Sequence, residues 1–180
     1  MIFCGLTCSC CHPAVTSSPA SADTARPAPV IHVVASDDNG QIRVDAYDAE
    51  ELFNRARARF STGDFQGAAA NYRLLLEGFQ ESTLAEPSRY NLALCEERLG
   101  RWQDAADAYR AYLQFSPTES DQRDARFRLG GCLEQLGQME EALAVFDRLL
   151  AFRAELSAVE VVEALARRGA ALLALNRRGE

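Results

Sequence analysis

The sequence contains no lysine; all nineteen of its basic residues are arginine. Histidine is almost as scarce, with only His12 and His32, both near the N-terminus. No stretch reaches the run of about eighteen apolar residues that a membrane-spanning helix requires. Positive charge is in deficit, at a net −7. An acidic surface repels phosphate backbones, which argues against a nucleic-acid partner. There is no Gly-rich phosphate loop and no HExxH helix. Both histidines precede the helical part, and no nucleophile–base constellation is evident in the rest of the chain. Neither an enzyme nor a bound cofactor is expected. Cysteine is also uneven: Cys4, Cys8, Cys10 and Cys11 crowd the start, and only Cys95 and Cys132 follow. A small disulfide-stapled fold does not space its cysteines this way.

What remains is ordinary globular composition, 48% hydrophobic and 25% charged, enough to bury a core in one domain or a short repeat array. Residues 1–30 read as a disordered leader, because HPAVTSSPASADTARPAP has almost no large apolar residues to offset the entropy of ordering. Residues 30–47 suggest a short β-hairpin, with Val30–Val34 and Ile42–Val44 on either side of Asp38-Asn39-Gly40. From residue 48 the pattern is helical, opening on a capping signature at Asp48 and Glu51.

The helical part, 48–180, repeats itself. Gly63, Gly100 and Gly137 stand 37 residues apart. Phe53, Tyr90 and Phe127 keep the same step, as do Ala56, Ala93 and Gly130. So do Phe65, Trp102 and Met139, then Ala68, Ala105 and Ala142, then Tyr72, Tyr109 and Phe146, then Leu76, Leu113 and Leu150. Each unit predicts a first helix closed by the glycine, which can take the left-handed conformation, and a second helix carrying alanine, aromatic and leucine. Small residues let the two helices approach, and the aromatics fill the gap. One such hairpin cannot bury its apolar face alone, so the units must stack into an all-α solenoid. The repeats fall at about 49–82, 86–119 and 123–156. A partial fourth unit, or a cap helix, follows at 157–176, opened by the capping box Ser157 and Glu160 and with Val161, Leu165, Gly169, Leu172 and Leu173 assigned to one apolar face.

The stretches YNLALCEERLGRWQDAADAYRAYLQFSP (90–117), FRLGGCLEQLGQMEEALAVFDRLL (127–150) and STGDFQGAAANYRLLLEGF (61–79) resemble tetratricopeptide repeats (TPRs). The pair Leu129-Gly130, the glycine before the turn, the alanine and aromatic of the second helix, and Pro117 carry the likeness. The step of 37 exceeds the family's usual length. The three extra residues, around Gln80–Ala85 and Thr118–Arg123, resemble the variant in bacterial envelope proteins of the Tol-Pal-associated and outer-membrane-assembly lipoprotein type. The resemblance implies a TPR-type α-solenoid and an adaptor that binds a partner segment in the groove of its first helices. On that implication the groove residues are Phe53, Tyr90 and Phe127, then Arg57, Leu94 and Gly131, then Phe60, Glu97 and Glu134. Aromatics flanked by acids suit an apolar or basic-apolar peptide. The family's clamp for acidic C-termini needs lysine, which is absent. The same aromatics are equally explained as packing between helices.

Cys95 and Cys132 keep the step of 37 and read as small buried hydrophobes. The acid pairs Glu96-Glu97 and Glu140-Glu141 read as solvated helix faces. An open last helix leaves an apolar face through which the chain could self-associate. Three readings stand for the tip. A lipoprotein signal remnant, with Cys8 or Cys10 as the lipidated residue, fits the apolar start, the cysteine stretch and the Pro/Ser/Ala tether. It lacks a basic start region and a long enough apolar stretch, which a true start lying upstream would explain. That reading predicts a periplasmic, outer-membrane-associated protein touching the membrane only through its anchor. An unmodified disordered tip predicts a cytoplasmic one. A metal or redox site at Cys4, Cys8, Cys10, Cys11 and His12 is the third, with thiolate and imidazole suited to zinc or copper.

Overall fold

The computed structural model describes residues 32–38, 41–115 and 119–175. The leader and its Cys/His tip therefore lie outside the described residues. Two strands come first: β1 (His32–Asp38) and β2 (Gln41–Tyr47) pair antiparallel, with His32 opposite Tyr47 and Asp38 opposite Gln41. Tyr47 joins this pair to the helices. Its ring lies 4.7 Å from the Arg55 guanidinium, and it packs beside Leu52, Leu75 and Phe79.

Among the described residues seven α-helices follow: α1 (Ala49–Ser61), α2 (Phe65–Gly78), α3 (Ala85–Arg98), α4 (Trp102–Phe115), α5 (Glu119–Gln135), α6 (Met139–Ala151) and α7 (Ala158–Ala174). Each packs on the next in chain order, as a solenoid requires. The turn inside each hairpin is the same. Gly63, Gly100 and Gly137 have φ of +85°, +70° and +73°, a region open to glycine without strain. The next residue then reaches back: Asp64 N–H to Arg59 O, Arg101 N–H to Glu96 O and Gln138 N–H to Leu133 O, each at 2.9 Å. These bonds satisfy carbonyls that the helix end would leave open. Asp48 caps α1 by accepting from Glu51 N–H at 2.7 Å, and Ser157 and Glu160 form a reciprocal capping box on α7.

The core runs along the hairpins as small-against-large contacts. Tyr72, Tyr109 and Phe146 are the largest fully buried side chains, and they share the interior with Ala56, Ala68, Ala93, Ala105 and Ala142. The closest approach is at Gly130, where a methyl group would stand 2.5 Å from Cζ of Phe146. Phe53, Tyr90 and Phe127 each meet the second-helix aromatic edge-on, at centroid distances of 5.8, 6.0 and 6.2 Å. Such contacts add to simple burial.

Two sequence expectations need correction, and the repeat junctions show a further difference. Glu96 is no solvated acid: it is 1% exposed and held between Arg73 of α2 and Arg101. Its neighbour Glu97 is half-buried, whereas Glu140 and Glu141 are exposed as expected. The extra residues at the two junctions differ from one another in conformation. Residues 80–84 link α2 to α3 outside either helix, with Leu84 N–H donating to Ser82 Oγ at 3.2 Å, whereas residues 119–123 wind into an additional turn of α5. Finally, of the apolar face expected on α7, Leu172 is buried but Leu165 and Leu173 are 52% and 62% exposed; Ala164 and Ala171 are buried with Leu172, the last two against Leu143.

Candidate partner-binding cleft

The first helices of successive hairpins share one face, and the side chains crossing between them form a repeated device. Arg128 of α5 donates from Nε to Asp124 Oδ2 at 2.7 Å, one turn back on its own helix. Its Nη1 donates to the Glu97 carboxylate of α3 at 3.2 and 3.3 Å. Arg167 of α7 does the same one unit later, donating to Glu134 of α5 at 2.6 Å and weakly to Glu163 of α7 at 3.5 Å. An acid four residues before an arginine lies on the same side of a helix, so each arginine is held by its own helix while it clamps the previous one. The Arg167 guanidinium also sits 5.0 Å from the centre of the Phe127 ring, within the reach of a cation–π contact.

Two phenols complete the network. Tyr90 O–H donates to Asp124, and Tyr109 O–H donates to Glu97 at 2.7 Å. Burial, with the hydrogen bond to Asp124, pushes the Tyr90 phenol up to about 12. Burial and the bond to Glu97 push Tyr109 higher still. Both rings therefore stay protonated donors through the neutral range. This ladder is specific to the later units. One step earlier, Phe60 stands where Glu97 would and Asn91 where Arg128 would. Phe60 packs on Phe65 at 5.1 Å instead.

Against this ladder opens a cleft of about 470 Å³. Phe127, Gly131 and Cys132 of α5 line it with Glu163 and Arg167 of α7, Glu97 of α3, and the apolar Trp102, Leu149 and Leu156. Four carboxylates (Glu97, Asp124, Glu160, Glu163) and three guanidiniums (Arg123, Arg128, Arg167) border it. Of the nine groove residues expected from sequence, Glu97, Phe127 and Gly131 meet here, and Glu134 stands behind Arg167. Tyr90 lines a smaller hollow of about 300 Å³ with Glu86, Pro87, Asn91 and Tyr112. Phe53, Arg57, Phe60 and Leu94 line neither: Phe53 and Leu94 pack into the core clusters, and Arg57 is exposed. The arginines of the ladder were missed by sequence reasoning. Their signal was the i,i+4 acid–arginine spacing at Asp124/Arg128 and Glu163/Arg167.

Cys95 and Cys132 are buried, and burial first, then the nearby charges of Glu96 and Glu97, raises their thiols to about 12 and about 11. They are inert core residues. Cys4, Cys8, Cys10, Cys11 and His12 lie outside the described residues. Among the described residues no cluster of His, Cys, Asp or Glu is arranged to hold a metal ion, and no helix is long and apolar enough to cross a membrane.

Comparison with known proteins agrees with this architecture. Two family models, both described as tetratricopeptide repeat, match residues 53–120 and 97–167 and together span well over half of the chain. No curated protein matches it. Among solved structures, a tetratricopeptide repeat protein from Parabacteroides merdae superimposes with a TM-score of 0.61 at 22% identity, covering 72% of this chain and 47% of that one. MamA 41-end from Desulfovibrio magneticus RS-1 gives 0.59 at 18% identity, covering 72% and 67%. The first TPR of Spaghetti (RPAP3), bound to HSP90 peptide SRMEEVD, gives 0.56 at 19% identity, covering 71% and 93%. The chain thus spans about half the length of the first of these and two thirds of the second, and the likeness to all three is one of fold. With the glycine turns, the small-against-aromatic core and the two family matches in agreement, the chain belongs to the tetratricopeptide repeat family.

Proposed function

We propose that this protein is an adaptor that holds an apolar or basic-apolar segment of a partner protein in the cleft between α5 and α7. The observation that carries this is the lining: the Phe127 ring and the bare backbone at Gly131 stand beside Trp102, Leu149 and Leu156, under a rim where carboxylates outnumber guanidiniums by four to three. The apolar surface supplies the affinity and the rim selects against acidic segments. One fold neighbour holds the peptide SRMEEVD, which has three acids. Here Arg128 and Arg167 are each already paired with two carboxylates, so a segment of that charge finds no unengaged ladder arginine. Tetratricopeptide arrays are interaction folds rather than catalytic ones, and nothing in the cleft is arranged as a nucleophile and base.

The setting proposed is the bacterial cell envelope, with a lipid anchor on Cys8 or Cys10. The order of the leader supports it: apolar residues, then cysteines among small residues, then a Pro/Ser/Ala tether. One experiment tests both parts. The protein is expressed in native cells from its own upstream DNA, with a photo-crosslinking residue at Gly131 or, as controls, at the exposed Asp104 and Ala144, which do not line the cleft. The expected result is a defined cross-linked partner from Gly131 alone, in the outer-membrane fraction, on a chain whose mass is raised by a lipid. Equal cross-linking at all three positions would sink the cleft reading. A soluble, unmodified chain beginning at Met1 would sink the envelope reading alone.

A further inference from the structure

The hollow beside Tyr90 differs in chemistry from the cleft. Among the described residues it is lined by two phenol rings, Tyr90 and Tyr112, with Pro87, Asn91 and one carboxylate, Glu86. The ring centres stand 5.3 Å apart and the planes are tilted by 58°, so the rings form two walls rather than one stacked surface. One turn beyond Tyr112, Phe115 is 60% exposed, with the Arg89 guanidinium 4.3 Å from its ring centre. Among the described residues Glu86 takes part in no ion pair. The carboxylates of the ladder, by contrast, are all engaged by arginine. Tilted aromatic walls beside one unpaired acid suit a proline-rich segment that carries one basic residue. Proline rings pack on aromatic faces, and a polyproline II segment is already extended, so it loses little entropy on docking.

We propose that the occupant is the chain's own leader: the segment Arg26-Pro27-Ala28-Pro29-Val30, outside the described residues, docks in this hollow as a polyproline II strand. Three features select it over a segment of another protein. The first is position. β1 begins at His32, which is paired with Tyr47, and Tyr47 packs on the same cluster as Leu84, two residues before Glu86. Pro27 precedes His32 by five residues, a reach of about 15 Å in the polyproline II form, against roughly 8–10 Å between packed helices. The second is composition. This is the only place in the chain where two prolines fall within five residues, and Arg26 is the one arginine of the leader. With three residues per turn, Arg26 and Pro29 share one side of the strand, and Pro27 and Val30 share the next. One ridge sets Arg26 beside Glu86 and Pro29 against the phenols; the other carries Pro27 and Val30 toward Phe115. The third is the tether. A short link holds the segment at an effective concentration on the order of millimolar, so a contact of modest intrinsic affinity is filled from within the chain before a partner's segment can compete. The inference stands independently of the cleft between α5 and α7.

A photo-crosslinking residue at Ala28 of the full chain tests this. The expected product is a cross-link within one chain, its yield unchanged on dilution, mapped by mass spectrometry to the start of α3 around Glu86 and Asn91 or to the end of α4 around Tyr112 and Phe115. Replacing both prolines, Pro27→Gly with Pro29→Gly, should lower the yield severalfold while the helical circular dichroism stays the same, because both residues precede the repeats. Glu86→Arg should weaken docking by about two- to fivefold, the range of a solvent-accessible ion pair. Arg26→Glu should do the same, and the two exchanges together should recover most of the loss. A cross-link mapped elsewhere in the array, or none at all, overturns the proposal. So does a yield indifferent to the two prolines, a pair of charge exchanges whose losses simply add, or a link between two copies that fades on dilution.

Discussion

Tyr109→Ala is expected to lower the stability of the array by about 3–5 kcal/mol, the cost of truncating a large buried aromatic. The side chain is fully buried in the central hairpin. It belongs to a cluster drawing on α3, α4, α5 and α6, which includes Ala93, Tyr112, Leu133 and Phe146. Its ring meets Tyr90, and its hydroxyl donates to Glu97. In a repeat array each unit is stabilised by its neighbours, so a cavity in the middle unit weakens the contacts on both sides. Small domains hold only about 5–15 kcal/mol in total, and this single change therefore removes a large share. Tyr109→Phe is the informative companion. It keeps the ring and removes only the hydroxyl, and Glu97 retains Arg128, so about 1 kcal/mol is expected. Urea titration followed by circular dichroism measures both. A Tyr109→Ala loss no larger than that of Tyr109→Phe would mean the ring is not the keystone described.

The second large effect concerns Glu96. Its carboxylate is 1% exposed, while the arginines that hold it, Arg73 and Arg101, are 42% and 40% exposed. The arrangement is asymmetric, and so is its response to mutation. Removing both arginines strands a buried charge; the double variant Arg73→Ala, Arg101→Ala is expected to lose about 3–5 kcal/mol. Removing the acid strands nothing, because both guanidiniums can turn to water. Glu96→Leu is expected to cost little, since exchanging a buried ion pair for apolar packing is often neutral. The molecule itself makes this exchange: 37 residues on, the same position is Leu133, 1% exposed. Adding Glu96→Leu to the double arginine variant should then restore most of the lost stability. That coupling, read as a double-mutant cycle in urea, is the diagnostic. Additive losses would show that Glu96 is not the group being compensated.

Glu96 also shows what the sequence could and could not reveal. The hairpins, their glycine turns and the alanine–aromatic core were legible because each rests on contacts that recur at a fixed step and need only residue size. Glu96 was misread because residue type favours the surface, and the partners that allow it inside include Arg73, 23 residues back on α2. Nothing in a local window shows that pair. The ladder arginines were hidden for a different reason. The step from Arg128 to Arg167 is 39 rather than 37, and the junction before α7 holds the short 3₁₀ turn Arg153–Glu155. Leu165 was assigned to the apolar face of α7 on residue type and spacing alone, and it is 52% exposed. Of the proposed groove, the aromatic positions were found but not their division of labour. Phe127 packs on the core as Phe53 does but also lines the cleft, which lies between the later helices.

The central claim, that a partner segment lies in the cleft between α5 and α7, is tested most directly at Gly131. A Cβ there would touch only Arg167 Nη1, at 3.6 Å, so a side chain can enter the cleft without disturbing the core. Calorimetric titration of the segment captured at Gly131 should give the same affinity for the parent chain and for Gly131→Ala, which leaves the cleft open. Gly131→Trp, which fills it, should bind roughly tenfold more weakly or worse with helicity unchanged. A folded Gly131→Trp chain that binds the segment as tightly as the parent would contradict the account and move the partner site to another face.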